Sequence, residues 1–236
     1  MANMVHAQSL SECFALPLSV QAYDEYEQIE NVIQQLNLTD QYDSRSFVWG
    51  SNSYTSAKFY KFMFDHLSCD PCILSIWTSK CLPKLKVFLW LLYHNRLNTK
   101  AVMIRKNWHV EEGPACILCD SGIIEDWDHL FFTCPFVLRC WEIMEMHWPP
   151  SAPVLSRIVY AKNAFLGPCF LEIFAAAAWN IWKVRNEAIF QHIPPNFRRW
   201  RVKALADVSL HRFRIKDSLV HLLLLWVREH SSPATF

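Results

Sequence analysis

The sequence predicts a mainly α-helical fold, with helices flanking one irregular, cysteine-rich segment and room for one short β-hairpin. Three observations predict it. Apolar stripes at helical spacing recur along much of the chain, most of them opened by a capping residue or a proline. Residues 110–134 show no such spacing and hold a cluster of cysteines. Glycine is scarce, with 4 in 236 residues, which suits helices and disfavours the clustered-glycine loops that cradle phosphates. No G-x-G-x-x-G, P-loop or G-x-S-x-G elbow can be written with Gly50, Gly113, Gly122 and Gly167.

The elements follow in order. Residues 1–42 are an acidic N-terminal segment, partly disordered or forming one helix over Tyr23–Leu36 with Ile29, Val32, Ile33 and Leu36 on one stripe. Ser46-Phe-Val-Trp-Gly-Ser-Asn-Ser-Tyr54 has turn residues between short aromatic stretches, the pattern of a small hairpin. Thr55 caps a helix that runs to about His66. Pro83 suits the first turn of an apolar helix over Lys84–Leu97, which belongs in the core. Asn98 or Thr99 caps Lys100–Lys106, and Pro135 opens a helix to about His147. Trp148-Pro-Pro-Ser-Ala-Pro153 is rich in breakers and is the expected linker between residues 43–147 and a helical region over 154–236. There, Ala175–Gln191 places Ala175, Ala178, Trp179, Trp182 and Ile189 on one stripe. Pro194-Pro195 ends it. A basic helix spans about Arg198–Lys216, and Asp217 or Ser218 caps a last one through Arg228.

Composition narrows the function classes. Hydrophobic residues make up 52% and charged residues 19% of the chain, which excludes wholesale disorder. The runs Val87–Tyr93, Ile173–Trp179 and Leu222–Val227 are far shorter than the ~20 residues of a membrane span. Met1–Leu10 lacks a basic stretch followed by an apolar one, so no signal peptide and no membrane association are expected, and the chain reads as intracellular. In that setting 9 cysteines point to metal ligands and buried thiols.

Cys116, Cys119, His129 and Cys134 form C-x2-C-x9-H-x4-C. A C-x2-C turn offers two thiolates to one side of a metal, and the H-x4-C limb offers the other two ligands of a zinc tetrahedron. Residues five apart on an α-helix point to different faces. His129 is therefore expected in a short helix, about Trp127–Phe132, with Cys134 at its unwound end, where Pro135 disfavours helical geometry. Four protein ligands leave no open position, so one Zn2+ is expected in a structural role, stapling the irregular segment between its helices. Buried thiols beside a packed histidine remain an alternative. So do an all-cysteine site that adds Cys69 and Cys72, and a redox role for that second C-x2-C. Glu125, Asp126 and Asp128 read as a solvated helix start. Cys13, Cys140 and Cys169 read as ordinary buried cysteines.

Cys116-x2-Cys119, Trp127-Asp-His129-Leu-Phe-Phe-Thr-Cys134-Pro-Phe and Trp141 resemble the zinc-binding domain that follows the reverse transcriptase in plant non-LTR (LINE-type) retrotransposons. Upstream, Trp49, Tyr54-Thr-Ser-Ala-Lys, Ile76-Trp77, Pro83-Lys-Leu-Lys-Val-Phe-Leu-Trp90, Arg96-Leu97 and Trp108 are similar to the segment that precedes the cysteines there. Downstream, Trp179-Asn-Ile-Trp182-Lys-Val-Arg185-Asn186-Glu-Ala-Ile-Phe190 resembles the helix that commonly follows. The resemblance implies that residues 43–147 form such a domain and that Cys116, Cys119, His129 and Cys134 bind the metal. It implies a non-catalytic accessory to a polymerase that handles RNA or DNA, with a reverse transcriptase domain on another chain as a partner. The polymerase Tyr/Phe-x-Asp-Asp and the carboxylate set of an RNase H are absent from the sequence. A structural or protein-interaction module and a decayed retroelement fragment are the alternatives.

The formal net charge of +1 conceals four opposed blocks. Residues 1–70 carry −6, residues 71–110 carry +7, residues 111–150 carry −7 and residues 151–236 carry +7. The first basic block is Lys80, Lys84, Lys86, Arg96, Lys100, Arg105 and Lys106; the second is Arg198, Arg199, Arg201, Lys203, Arg212, Arg214 and Lys216. Such blocks bind nucleic acid by releasing counterions, and Trp108 and Trp200 could stack bases. They equally suit the solvated faces of helices, or pairing with the acidic block between them.

Overall fold

The computed structural model describes residues 17–35, 46–50, 53–111, 113–149 and 151–231, in two compact units that divide at Leu67/Ser68. No helix among the described residues is long and apolar enough to cross a membrane.

Among the described residues, the first unit holds two short helices. Helix α1 (Val20–Gln34) is capped by Ser19, whose hydroxyl accepts from the Ala22 amide, and it buries none of its residues. Its expected stripe forms, but Ile29 and Val32 stay exposed, and Leu36 lies outside the described residues. Helix α2 (Ser56–Phe64) is capped by Thr55 through the Lys58 amide at 3.2 Å. The expected hairpin between them is corrected. Among the described residues of 46–55 there is no strand, and Gly50 at φ +75 closes a turn by donating to the Phe47 carbonyl. The aromatics satisfy one another instead. Phe47 stacks on Trp49 at 4.8 Å, and Tyr54, Phe59 and Phe62 close around Trp49.

The second unit is built around one long helix. Helix α3 (Pro71–Thr78) starts at Asp70, which caps the Cys72 amide at 2.7 Å and also accepts from the Tyr93 hydroxyl. Helix α4 (Pro83–Tyr93) buries Leu85, Phe88, Leu89 and Leu92. Helix α5 (Lys100–Arg105) is capped by Thr99. Helix α6 (Pro135–Ile143) and helix α7 (Val154–Ala164) lead to helix α8 (Phe170–Gln191), which packs against α4, α6 and helix α9 (Phe197–Ser209). A 3₁₀ turn (Leu210–Phe213) and helix α10 (Asp217–Ser231) are the last described elements.

Three helices stop sooner than their apolar patterns suggest, for one reason. Asn95, Asn107 and Glu145 adopt left-handed φ of 50°, 56° and 55°. In each case the next amide reaches back five residues, as Arg96 to Leu91, Trp108 to Met103 and Met146 to Trp141. This satisfies orphan carbonyls at the helix end in the way glycine usually allows. With few glycines available, asparagine and glutamate take the position, at about 1 kcal/mol or more each.

The stripe expected on α8 is also corrected. Four consecutive alanines, Ala175–Ala178, are all buried, and Ile173, Ile181, Val184 and Ala188 extend the buried surface, whereas Trp179 and Trp182 are only half-buried. The small residues let neighbours approach the backbone closely, and the buried Trp200 indole donates to the Ala177 carbonyl at 3.3 Å. The single basic helix expected over Arg198–Lys216 breaks after Ser209, where the 3₁₀ turn buries His211 and Ile215. The expected linker Trp148–Pro153 lies inside the second unit, because Trp148 packs on Phe132, Trp141 and Phe174.

His211 is fully buried, with Nδ1 on the Asp207 carbonyl and Nε2 lacking a hydrogen-bond partner. Burial lowers its pKa below 6.5, against the opposing fields of Glu172 and Asp207. The unfolded chain therefore binds the proton first, and the stability present above about pH 6.5 falls as the solution is acidified toward the lower folded value. Thermal unfolding between pH 7.5 and 5, with zinc in excess, is expected to show this loss. In His211→Phe the slope over that range is expected to flatten; an unchanged slope contradicts it.

Candidate metal centre

The C-x2-C limb is shaped by a small antiparallel contact. Ala115 and Ile124 form an isolated bridge, the Cys116 amide donates to the Ile123 carbonyl at 2.8 Å, and the Glu125 amide donates to the Pro114 carbonyl at 2.9 Å. Residues 116–123 therefore form a closed loop, and Gly122 turns it at φ +68. The histidine limb solves its spacing problem with a wider turn than the expected short α-helix. His129–Thr133 is a π-helical turn, in which the Cys134 amide donates to the His129 carbonyl five residues back at 2.8 Å. That turn has more residues per revolution than an α-helix and brings residues five apart toward one face. Cys134 is extended before Pro135, as expected.

The ligand atoms of Cys116, Cys119, His129 and Cys134 all lie within 4.8 Å of one another. Among the described residues they are the only group of three or more His, Cys, Asp or Glu placed to share a metal. Cys119 Sγ is 3.3 Å from His129 Nε2, so Nε2 faces the cluster, and Nδ1 faces the Thr133 hydroxyl at 3.5 Å. Cys116 and Cys134 are buried. The Cys116 thiol is pushed far up by its hydrogen bond to Cys134 and by burial. Burial holds the His129 pKa below its usual value, against the pull of Asp126, Glu125 and Asp128, which favours the neutral ring a metal needs. Three sulfurs and one imidazole nitrogen at this spacing suit one zinc ion with Zn–S bonds of about 2.3 Å. Bound there, zinc would hold the sulfurs as thiolates and close the loop to the π-helical turn.

Residues 54–141 match the family described as zinc-binding in reverse transcriptase. The match holds all four ligands and ends on Trp141, which is fully buried and donates to the Phe131 carbonyl at 2.7 Å. No curated protein and no solved structure matches the chain. The family is a zinc-binding one and not the catalytic polymerase domain.

Of the three carboxylates beside the ligands of this zinc-binding domain, Asp126 is the exposed helix start read from the sequence, whereas Glu125 and Asp128 are tied to buried arginines, which corrects their reading. Glu125 is fully buried, and its Oε1 accepts from Arg185 at 2.6 and 3.0 Å and from the Lys100 amide at 3.0 Å. Asp128 pairs with the buried Arg157 at 2.5 Å, and Asp126 accepts from the His129 amide at 2.7 Å. Arg157 and Arg185 carry the site from outside it. The sequence signal for Arg185 was its position on the buried stripe of α8, one turn from Ile181 and Ala188, where a cation needs a carboxylate.

The second C-x2-C does not join the cluster. Cys72 lies in the first turn of α3 and Cys69 is exposed. Cys81 is buried, and burial pushes its thiol up to about 12. Cys140 is buried and Cys169 half-buried; Cys13 lies outside the described residues.

The basic residues divide. Lys100 is buried and its Nζ donates to the Ala115 carbonyl; Arg201 is buried against the His230 carbonyl; Trp200 is buried in the core. These three are structural, which corrects their assignment to nucleic acid. Arg199 and Lys203 both pair with Glu187, at 3.2 and 2.7 Å, and Lys86 donates to the Trp77 carbonyl. Lys84, Arg96, Arg105, Lys106, Trp108 and Arg198 are exposed.

Purified protein is expected to hold about one zinc per chain, with Cys119→Ser and His129→Ala both losing it. Structural zinc contributes about 10–16 kcal/mol apparent in small zinc peptides. Chelation should therefore unfold residues 110–134, read as loss of amide protection there; full zinc retention in both variants contradicts the ligand set. A double-mutant cycle checks the Glu125–Arg185 pair. Removing either partner should cost about 3–5 kcal/mol in denaturant unfolding, and replacing both with leucine should cost clearly less than the two single losses together.

Proposed function

We propose that this chain is a non-catalytic zinc-binding module derived from a retrotransposon reverse transcriptase of the LINE type, and that it binds single-stranded RNA or DNA. The observation that carries this reading is the exposed part of the first basic block. Among the described residues, Lys84, Arg96, Arg105 and Lys106 enter no ion pair, although the chain carries acidic residues nearly equal in number to its basic ones. Lys106 donates to Asn98 at 3.0 Å, which brings it to the loop that follows Arg96. Two cations lie over indoles there, Arg96 over Trp90 at 5.4 Å and Lys106 over the exposed Trp108 at 4.7 Å. Exposed cations interleaved with aromatic faces suit a single strand, with phosphates on the cations and bases on the rings. The zinc site supports a structural and not a chemical role for the metal, because four protein ligands occupy a tetrahedral ion completely.

The rival reading, a protein-docking module, draws on aromatic residues of α8. Trp179 packs edge-on against Phe88 at 5.2 Å and Trp182 stacks on Phe131 at 6.4 Å; both are half-buried, and of the three aromatics Trp179, Trp182 and Phe190 only Phe190 is exposed.

Filter binding to a single-stranded RNA across a salt series tests the proposal. The logarithm of the affinity is expected to fall linearly with log salt, by about 0.7 per phosphate neutralised. Replacing Arg105 and Lys106 together with alanine is expected to reduce that slope by about 1.4. A flat salt response, or no binding at low salt, overturns it.

A further inference from the structure

A cavity of about 390 Å³ opens between α5, the residues that follow it, and the C-terminal end of α8. That volume falls in the range of small-ligand sites, about 300–1,000 Å³. Its lining includes Lys100 and Arg185, which are 2% and 1% exposed, and His109, Glu111 and Phe190. Phe190 lies on the last turn of α8 and is 69% exposed, so its ring is available to a ligand. The lining continues directly from the basic block: Met103 belongs to α5, and His109 and Val110 follow Trp108 in sequence.

The site discriminates between parts of a nucleotide. The cavity also takes in Ile189 and His192, at the C-terminal end of α8, where helix carbonyls carry the negative end of the dipole. Glu111 adds a carboxylate. The two cations of the lining are already engaged, Lys100 by the Ala115 carbonyl and Arg185 by Glu125, so Glu111 and the helix end favour hydrogen-bond donors there. Arg105 and Lys106, exposed outside it, suit the phosphates.

We propose that this cavity takes one unstacked nucleobase of a single strand whose flanking phosphates lie on Arg105 and Lys106. Phe190 stacks on the base, and Glu111 accepts a hydrogen bond from its exocyclic amino group. Adenine and cytosine carry that group and uracil does not, so the site prefers the first two. The proposal rests on the single-strand-binding reading above and adds to it a base-selective contact that is not electrostatic.

The test compares oligoadenylate, oligocytidylate and oligouridylate of equal length in filter binding, each over a salt series. Because Phe190 is exposed, Phe190→Ala is expected to fold as the parent does, which circular dichroism checks. It is expected to weaken oligoadenylate binding about fivefold or more while leaving the salt slope unchanged, since stacking releases no counterions. Glu111→Gln is expected to reduce the preference for oligoadenylate and oligocytidylate over oligouridylate. If the parent protein binds RNA with the expected salt slope but Phe190→Ala binds as tightly, the cavity is not the base site and the broader reading stands. If Phe190→Ala lowers the slope as the Arg105 and Lys106 replacements do, the stacking role is likewise overturned. Failure of the parent protein to bind any of the three oligomers overturns both.

Discussion

Glu125 and Arg185 meet inside the protein, 60 residues apart in sequence, with side chains 0% and 2% exposed. Removing two charges from water is costly, and the pair compensates only because its hydrogen bonds are short and several. Each partner fixes a different part of the molecule. Glu125 is the residue at which the metal loop turns toward its histidine limb, and it also takes the Lys100 amide at the start of α5. Arg185 belongs to α8, the helix against which α4, α6 and α9 pack. The metal loop has no strand and no helix of its own before Trp127, so this contact, the Lys100 bond to the Ala115 carbonyl and the burial of Leu118 seat it on the helical core. Arg157 on Asp128 adds a second tie, from α7 to the start of the π-helical turn.

The zinc ligands and the ion pairs do different work. Zinc would draw the C-x2-C loop and the π-helical turn together, which is closure within 19 residues of chain, from Cys116 to Cys134. The ion pairs then orient that closed unit on α7 and α8. The ion pairs alone would leave two thiols sharing one hydrogen bond in a buried site. Trp141 joins the two arrangements. It follows the last ligand by two turns of α6, donates to the Phe131 carbonyl beside His129, and stacks on Phe174 of α8 at 5.3 Å.

Much of this was legible in the chain, and what was not has physical causes. The ligand spacing, the Pro135 break at Cys134, and the caps at Thr55 and Thr99 are local features, read from residues within a turn of each other. The ends of α4, α5 and α6 were not read, because asparagine and glutamate can hold a left-handed cap but do not announce it as glycine does. Helix α3 starts on Asp70-Pro71, a strong local signal, yet the Cys69–Cys72 spacing across that start equally suits a metal or redox turn. The buried face of α8 was misread because its alanines are apolar on every side, and periodicity carries no information when there is no polar face to contrast with. The partners of Glu125 and Asp128 lie 60 and 29 residues away, and only the fold brings them in.

The charge blocks resolve along the same lines. The acidic stretch over residues 111–150 does not turn to the basic block that precedes it for its ion pairs at the metal site. Its Glu125 and Asp128 pair with Arg185 and Arg157 from the last third of the chain. Within that last third, Glu187 holds Arg199 and Lys203, and Asp207 holds Lys183. Much of the second positive region is thus engaged inside the protein. In the first block, Lys100 is buried and Lys86 caps a carbonyl, yet Lys84, Arg96, Arg105 and Lys106 remain on the surface beside two tryptophans. Each block thus keeps cations on the surface, and in the second Arg212 lies over the exposed Phe213 ring at 4.5 Å. The exposed cations of the second block are Arg198 on α9 and Arg212, Arg214 and Lys216 in the chain that follows it.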